Sequence, residues 1–332
     1  MITKESYRPT PANAWTGRID GKEADLLRWH QVIKTVDLLQ QPLPALQKEQ
    51  KGVVFLGFAC DEGVRRNKGR TGAVEGPGAL RKVIANFPAH FSEQAVLLDA
   101  GDIVCTGTAL EEAQLVLSNA VQAILTAGYL PVLLGGGHEI TYGHASGIRQ
   151  YMHGKGQLGL INFDAHFDIR IPGEEGPSSG TGFWQLAQDC KQSGEPFNYL
   201  ALGIQKNGNT RQLFNIAGEE GATYVGADAF HLEDKDTIFA AIQHFLSQVD
   251  KVYLTTCLDV FASPFAPGVS ATAYNGITPG GLFLQCYRAI LESGKVCGVD
   301  IAELNPSLDI DNRTAKLGAA IIFEVLMAYC GE

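Results

Sequence analysis

Short apolar runs alternate with helical repeats along this chain, and that alternation leaves few folds open. Val53–Ala59, Val96–Leu98, Leu130–Leu134, Leu158–Phe163, Tyr199–Ile204, Val252–Leu258 and Val296–Ile301 each read as strands. Leu110, Ala113, Leu117, Ala120 and Ile124 recur at helical spacing, and Gly128 supplies a stop. Pro77 opens another helix, Ile238, Ala241, Ile242 and Phe245 mark a third, and a closing helix runs from about Lys316 to Tyr329. Strands separated by helices pair in parallel, with helices covering both faces of the sheet. The expected fold class is therefore α/β, built around a mostly parallel central sheet.

No Pro/Ser/Gly linker, low-complexity run or internal repeat breaks the 332 residues. A single large domain over residues 1–332 is expected, with 1–50 as an N-terminal extension packed on it. With 26 Lys and Arg against 36 Asp and Glu, the net charge is -10. That balance argues against nucleic acid or an anionic membrane as a main partner. An anionic substrate would then need a local cluster of positive charge. Cys60, Cys105, Cys190, Cys257, Cys286, Cys297 and Cys330 are odd in number, widely spaced and without a CxxC. They read as buried thiols in a reducing cytoplasm. The N-terminus is polar, so no signal peptide is expected. No apolar run reaches the roughly 18 residues that span a bilayer.

Polar residues gather just past the strand ends. In open parallel sheets ligands bind there, beyond the carboxyl ends. Asp164-Ala165-His166-Phe167-Asp168 follows Leu158–Phe163. Alternate side chains of an extended segment share a face, and carboxylate with imidazole suits manganese, with zinc or iron as competitors. Alone, this segment could equally be solvated loop. Gly135-Gly136-Gly137-His138-Glu139 follows the strand ending at Leu134. Alone, it could be an ordinary turn or a phosphate cradle, although it lacks the Lys-Ser/Thr of a Walker loop. Cys257 and Asp259 lie at alternate positions at the end of Val252–Leu258, where a core cysteine beside a capping aspartate is the plainer reading. Glu303 sits just after the last strand, within Asp300-Ile301-Ala302-Glu303-Leu304-Asn305-Pro306.

Taken together, these four segments resemble the ureohydrolase (arginase/agmatinase) superfamily. That family carries a Gly-Gly segment before a histidine, then D-A-H-x-D, S-x-D-x-D and D-x-x-E-x-x-P, in this order. The likeness runs from about residue 50 to the C-terminus. It implies a three-layer α/β/α fold, a homo-oligomer and a two-manganese site that activates water against an amidine-type carbon. It also implies ligands. His138, Asp168, Asp164 and Asp259 would hold one Mn2+. His166, Asp164, Asp259 and Cys257 would hold the second. Cys257 stands where the family has an aspartate, which puts the second site in question, because thiolate favours softer ions.

Within the superfamily, three stretches look like the formimidoylglutamase branch: Asp61 to Gly72, the GGGHE form of the first segment, and Ala266-Pro267-Gly268-Val269-Ser270-Ala271. Trp15 to Asp20 is consistent with it. Arg170 lies two residues past Asp168, where a guanidinium can bind a carboxylate through two bonds. Arg66 and Arg70 could add positive charge at the same edge. Arginase and agmatinase have a histidine in the loop after D-A-H-x-D; here Ser179 is nearest that position, in Gly176–Gly182. The expected reaction is hydrolysis of N-formimidoyl-L-glutamate, with Glu303 holding the amidine and Asp168 moving a proton. Another amidinohydrolase, acting on agmatine or a guanidino acid, is the alternative.

Overall fold

The computed structural model describes residues 2–92 and 94–331. Its strands are β1 (Tyr7–Arg8), β2 (Lys34–Thr35), β3 (Lys51–Ala59), β4 (Ala95–Val104), β5 (Tyr129–Leu134), β6 (Leu158–Phe163), β7 (Asn198–Ile204), β8 (Thr223–Gly226), β9 (Lys251–Cys257) and β10 (Val296–Ala302). Its helices are α1 (Trp29–Val32), α2 (Glu62–Arg66), α3 (Gly76–Ile84), α4 (Leu110–Thr126), α5 (Ile140–Met152), α6 (Gly182–Ser193), α7 (Arg211–Glu219), α8 (Lys235–Ser247), α9 (Gly281–Glu292) and α10 (Arg313–Cys330).

All ten strands join one sheet, in the order β1-β4-β3-β5-β10-β9-β6-β7-β8, with β2 also on β4. Every pairing is parallel except β1 with β4. Side chains alternate across it with period two. Val53, Phe55, Val132, Ile161, Leu254 and Ile301 point into one core, closed by α3, α8, α9 and α10. Val54, Leu56, Leu133, Leu160 and Tyr253 point into the other, closed by α4, α5, α6 and α7. Because both faces are covered, the strands read in sequence as continuous apolar runs rather than alternating ones.

Consecutive strands β5 and β6 are not neighbours, for β10 and β9 lie between them. The order of connection therefore switches there. The loops leaving β5 and β6 diverge and open a crevice at the carboxyl edge. Four strand ends meet at that crevice: β5, β10, β9 and β6.

Strand β4 is longer than Val96–Leu98 suggests, because its second half, Asp99 to Val104, carries charge. That charge is buried in an ion-pair network. Arg81 of α3 is 2% exposed and donates to Asp99 at 2.7 Å and to Asp102 at 2.6 Å. Asp99 also accepts from Trp15 Nε1 at 2.6 Å, which ties residues ahead of β3 to the sheet. Trp29, wholly buried among Phe55, Phe87 and Phe91, adds a second tie. Replacing Arg81 with Met leaves the buried Asp99 and the part-buried Asp102 without their cationic partner, and is expected to cost about 3 kcal/mol of stability in urea unfolding.

Among the described residues, no helix is long and apolar enough to cross a membrane.

Candidate metal centre

The floor of the crevice is acidic and almost closed to solvent. Asp164 leaves β6 with its backbone N–H bonded to the Leu202 carbonyl at 3.0 Å. Its carboxylate is fully buried and faces two ways. Oδ2 lies 2.9 Å from His138 Nδ1, and Oδ1 lies 3.4 Å from His166 Nδ1. Asn162, buried one turn of the strand earlier, donates to the same carboxylate at 3.1 Å. His138 Nδ1 also meets Asp168 Oδ2 at 2.7 Å, and His166 Nδ1 meets Asp259 Oδ2 at 3.3 Å.

Two donor sets result, and Asp164 belongs to both. In each of the groups His138–Asp164–Cys257 and Asp164–His166–Asp259, one donor atom per residue lies within 4.8 Å of the others. This grouping differs from the one implied by the family resemblance. Cys257 lies with His138 rather than His166, and Asp259, which the resemblance places in both sets, lies with His166 alone. The reason is local. Cys257 is the last residue of β9, whereas the chain turns at once into a 3-10 helix over Leu258–Val260. That turn carries Asp259 out of strand alternation and towards the end of β6.

Charge explains why such a cluster is poised for cations. Burial and the neighbouring Asp164 push Asp168 and Asp259 above the usual carboxylate range. Against the cost of burial, the surrounding carboxylates raise both imidazoles and the imidazoles hold Asp164 low. Protons on His138 and His166 thus supply the positive charge the carboxylates need. Divalent cations would displace those protons. Asp259 Oδ1 is buried with no hydrogen-bond partner, as a ligand atom aimed at a cation would be. The nitrogen and oxygen donors suit Mn2+, and the sulfur adds a softer donor to one set.

That sulfur has a measurable consequence. Burial and nearby carboxylates hold the Cys257 thiol well above its ordinary value. A cation must therefore expel a proton to gain the thiolate. Cys257→Asp is expected to bind Mn2+ with a shallower pH dependence and fewer protons released, and to lose relative preference for Zn2+. Calorimetry in buffers of different ionisation enthalpy measures both.

Behind His138 lies a buried polar chain that sequence reasoning did not find. Thr255 donates to Asp300 Oδ1 and, at 3.0 Å, lies against His138 Nε2. Since the hydroxyl gives its proton to Asp300, it accepts from Nε2–H, and Nδ1 is left facing the centre. Asp300 Oδ2 also accepts from Tyr253 at 2.7 Å and from His144 Nδ1 at 2.6 Å. All five residues are within 1% of complete burial. Asp300→Asn reverses half of this acceptor set, and is expected to weaken Mn2+ binding 10–100-fold, roughly the usual cost of losing such an outer partner. Titration calorimetry reads it.

Above the floor, a cavity of about 490 Å³ opens to solvent. Glu303 reaches into it from the end of β10. Its backbone N–H bonds Gly136 O at 2.8 Å, and its Oε1 accepts from His138 N–H at 2.9 Å. Glu303 and Asp168 both adopt left-handed backbone, φ 68° and 45°, a cost that clusters where geometry serves function. The glycine run is needed here too. A Cβ on Gly136 would lie 1.9 Å from Cys60 O, so only glycine lets the His138 loop pass.

The expected substrate contacts separate. Arg170 and Ser179 line the cavity, and the Arg170 guanidinium makes no ion pair among the described residues. Arg70 lines it as well, but its guanidinium is spent on the carbonyls of Ser270 and Val269, at 2.9 and 2.8 Å. Arg66 does not line it. It turns away to Glu62 and Glu111, at 2.9 and 2.7 Å, with only 7% of its side chain exposed. An arginine four residues after a glutamate on one helix pairs with it, and here Glu111 completes the pairing. Asn67 and Lys68 line the wall instead, with Asn67 donating to Ser179 Oγ at 3.1 Å.

The sequence pattern of the Arginase family matches residues 51–328. The chain belongs to the arginase family. It is 42% identical to the formimidoylglutamase of Clostridium tetani over 325 residues, covering 97% of this chain and 96% of that one. It is 43% identical to the formimidoylglutamase of Nocardia farcinica over 318 residues, covering 95% and 96%. The crystal structure of Bacillus subtilis formimidoylglutamase superposes with a TM-score of 0.78 at 22% identity, covering 96% of this chain and 95% of that one. Trypanosoma cruzi formiminoglutamase with Mn2+ superposes with a TM-score of 0.72 at 25% identity, covering 86% and 95%. The three-layer arginase fold expected from sequence is the fold observed.

Proposed function

We propose that this chain hydrolyses N-formimidoyl-L-glutamate to L-glutamate and formamide, with two Mn2+ ions per subunit. The observation that carries this reading is one cavity with two donor sets on its floor, a buried carboxyl beside them and, in its wall, a guanidinium with no ion pair among the described residues. Its near-full-length relatives at about 42% identity are formimidoylglutamases.

His138, Asp164, Asp168 and Cys257 would hold one ion, and Asp164, His166 and Asp259 the other. The ions supply Lewis acidity that brings the ionisation of water towards neutral pH. Glu303 is fixed by the His138 N–H, so its charge can hold the protonated amidine and orient the carbon over the floor. Arg170 can take a substrate carboxylate through two bonds. Agmatine has no carboxylate, so Arg170 favours the dicarboxylate. Asp168 passes a proton to the departing glutamate nitrogen. Ser179 offers a hydroxyl, not the imidazole of arginase and agmatinase.

A panel of N-formimidoyl-L-glutamate, agmatine, arginine and guanidino acids, assayed with added Mn2+, tests the reading. Formamide from the first alone supports it. Urea from the others, with no formamide, overturns it. We further propose a homo-oligomer working in the reducing cytoplasm as one unit, with residues 1–50 as an extension packed on it. All seven cysteines are free, in keeping with that compartment.

A further inference from the structure

Two of the free cysteines are neighbours. Cys60 and Cys105 follow directly on β3 and β4, whose last paired residues are Ala59 and Val104. The Cys105 N–H bonds Ala59 O at 3.3 Å, so the chains remain side by side at the cysteines. Adjacent strands run about 4.8 Å apart, inside the Cα separation a disulfide spans. The thiols interact with each other, which brings the Cys105 thiol below its ordinary pKa and holds that of Cys60 above it. Arg66 adds positive charge that favours the Cys105 thiolate. Cys105 is half-buried and lines an opening of about 340 Å³, separate from the catalytic cavity, together with Cys60, Arg65 and Thr71.

Cys60 is also built into the metal site's scaffold. Its carbonyl accepts the Gly137 N–H at 2.9 Å, one residue before His138. Its thiol donates to Glu139 Oε1 at 3.4 Å, one residue after His138. The same Oε1 accepts the Gly63 N–H at 2.9 Å. Gly136 packs against the Cys60 carbonyl with no space to yield. A change at Cys60 therefore reaches the loop that aims His138 and anchors Glu303.

We propose that Cys60 and Cys105 form a reversible dithiol–disulfide site whose oxidation by a small-molecule disulfide loosens the His138 loop. The Cys105 thiolate attacks one sulfur of the small disulfide, forming a mixed disulfide and releasing one thiol. Cys60 then loses its proton to solvent through the opening that both cysteines line and attacks the Cys105 sulfur, releasing the second thiol. Two thiols are oxidised to one disulfide, and the small disulfide is reduced to two thiols. Glu139 loses its donor from Cys60, and the bonds that flank His138 on both sides are disturbed.

The inference rests on the proposed reaction for its effect on turnover, but the linked peptide and Mn2+ affinity are read without substrate. The Mn2+-loaded full chain is incubated with oxidised glutathione, alkylated, digested without reductant and analysed by mass spectrometry, beside Cys105→Ser and Cys257→Asp. A Cys60–Cys105 linked peptide is expected, with Mn2+ affinity and turnover falling several-fold and dithiothreitol restoring both. Cys105→Ser keeps full basal turnover and is insensitive to the oxidant, while Cys257→Asp still responds. No linked peptide, a linked peptide with unchanged Mn2+ affinity, or equal inhibition of Cys105→Ser each overturns the proposal.

Discussion

Glu303→Gln is expected to lower kcat/KM by about 10²–10³-fold, the scale of one preorganised electrostatic contact, with little change in melting temperature. Gln keeps the oxygen that accepts the His138 N–H at 2.9 Å, so the loop stays anchored. What it loses is the charge that faces a protonated amidine. Glu303 is buried on left-handed backbone, and burial with the nearby Glu139 and Asp259 raises its carboxyl above the usual range, so a bound cationic amidine is what favours its charged form. Steady-state hydrolysis and a thermal melt, side by side, separate the two roles. A variant with near-normal turnover would remove Glu303 from the reaction. One that melts early would make it a structural acid instead.

Asp164→Ala is expected to do more. It removes the one residue that both donor sets share, taking the partner of His138 at 2.9 Å and of His166 at 3.4 Å in one step. At Mn2+ levels that saturate the native chain, the variant is expected to hold essentially none, and hydrolysis should fall to background. In the metal-free state it also strips two charged imidazoles of a buried partner, so its stability should drop as well, by about 3–5 kcal/mol. Elemental analysis of dialysed protein gives the first result and urea unfolding the second. Full metal content in Asp164→Ala would show that the sets do not depend on this carboxylate. The contrast with Asp300→Asn is informative, because that residue touches no cation and should weaken binding by degrees.

Much of this was legible in the sequence, and the reason is physical. Strands buried on both faces must be apolar throughout, so β3, β5, β6, β7, β9 and β10 announce themselves. The D-A-H-x-D run and Glu303 fall just past strand ends, so a parallel sheet has to bring them to one edge. What stayed hidden depended on long-range pairing. The second half of β4 looks like loop because Asp99 and Asp102 are polar, and only Arg81, distant in sequence, makes their burial tolerable. The short edge strand β8 has half-exposed residues and no apolar signature. His144, Thr255 and Asp300 look like unrelated polar residues until the helix α5 and strands β9 and β10 are stacked. Arg66 illustrates the opposite error. Its loop was correctly placed beside the site, but Glu62 one helical turn away decides where its side chain goes. The donor sets differ from those the resemblance implies for a local reason, since past Cys257 the chain is no longer a strand and Asp259 turns towards His166.

The most direct test is anomalous diffraction at the manganese edge from crystals of the full chain grown with Mn2+. Two peaks are predicted, one among His138, Asp164, Asp168 and Cys257, the other among Asp164, His166 and Asp259. A manganese-saturated crystal with no peak between the ends of β5, β10, β9 and β6, or with its ions bound elsewhere, would contradict the account.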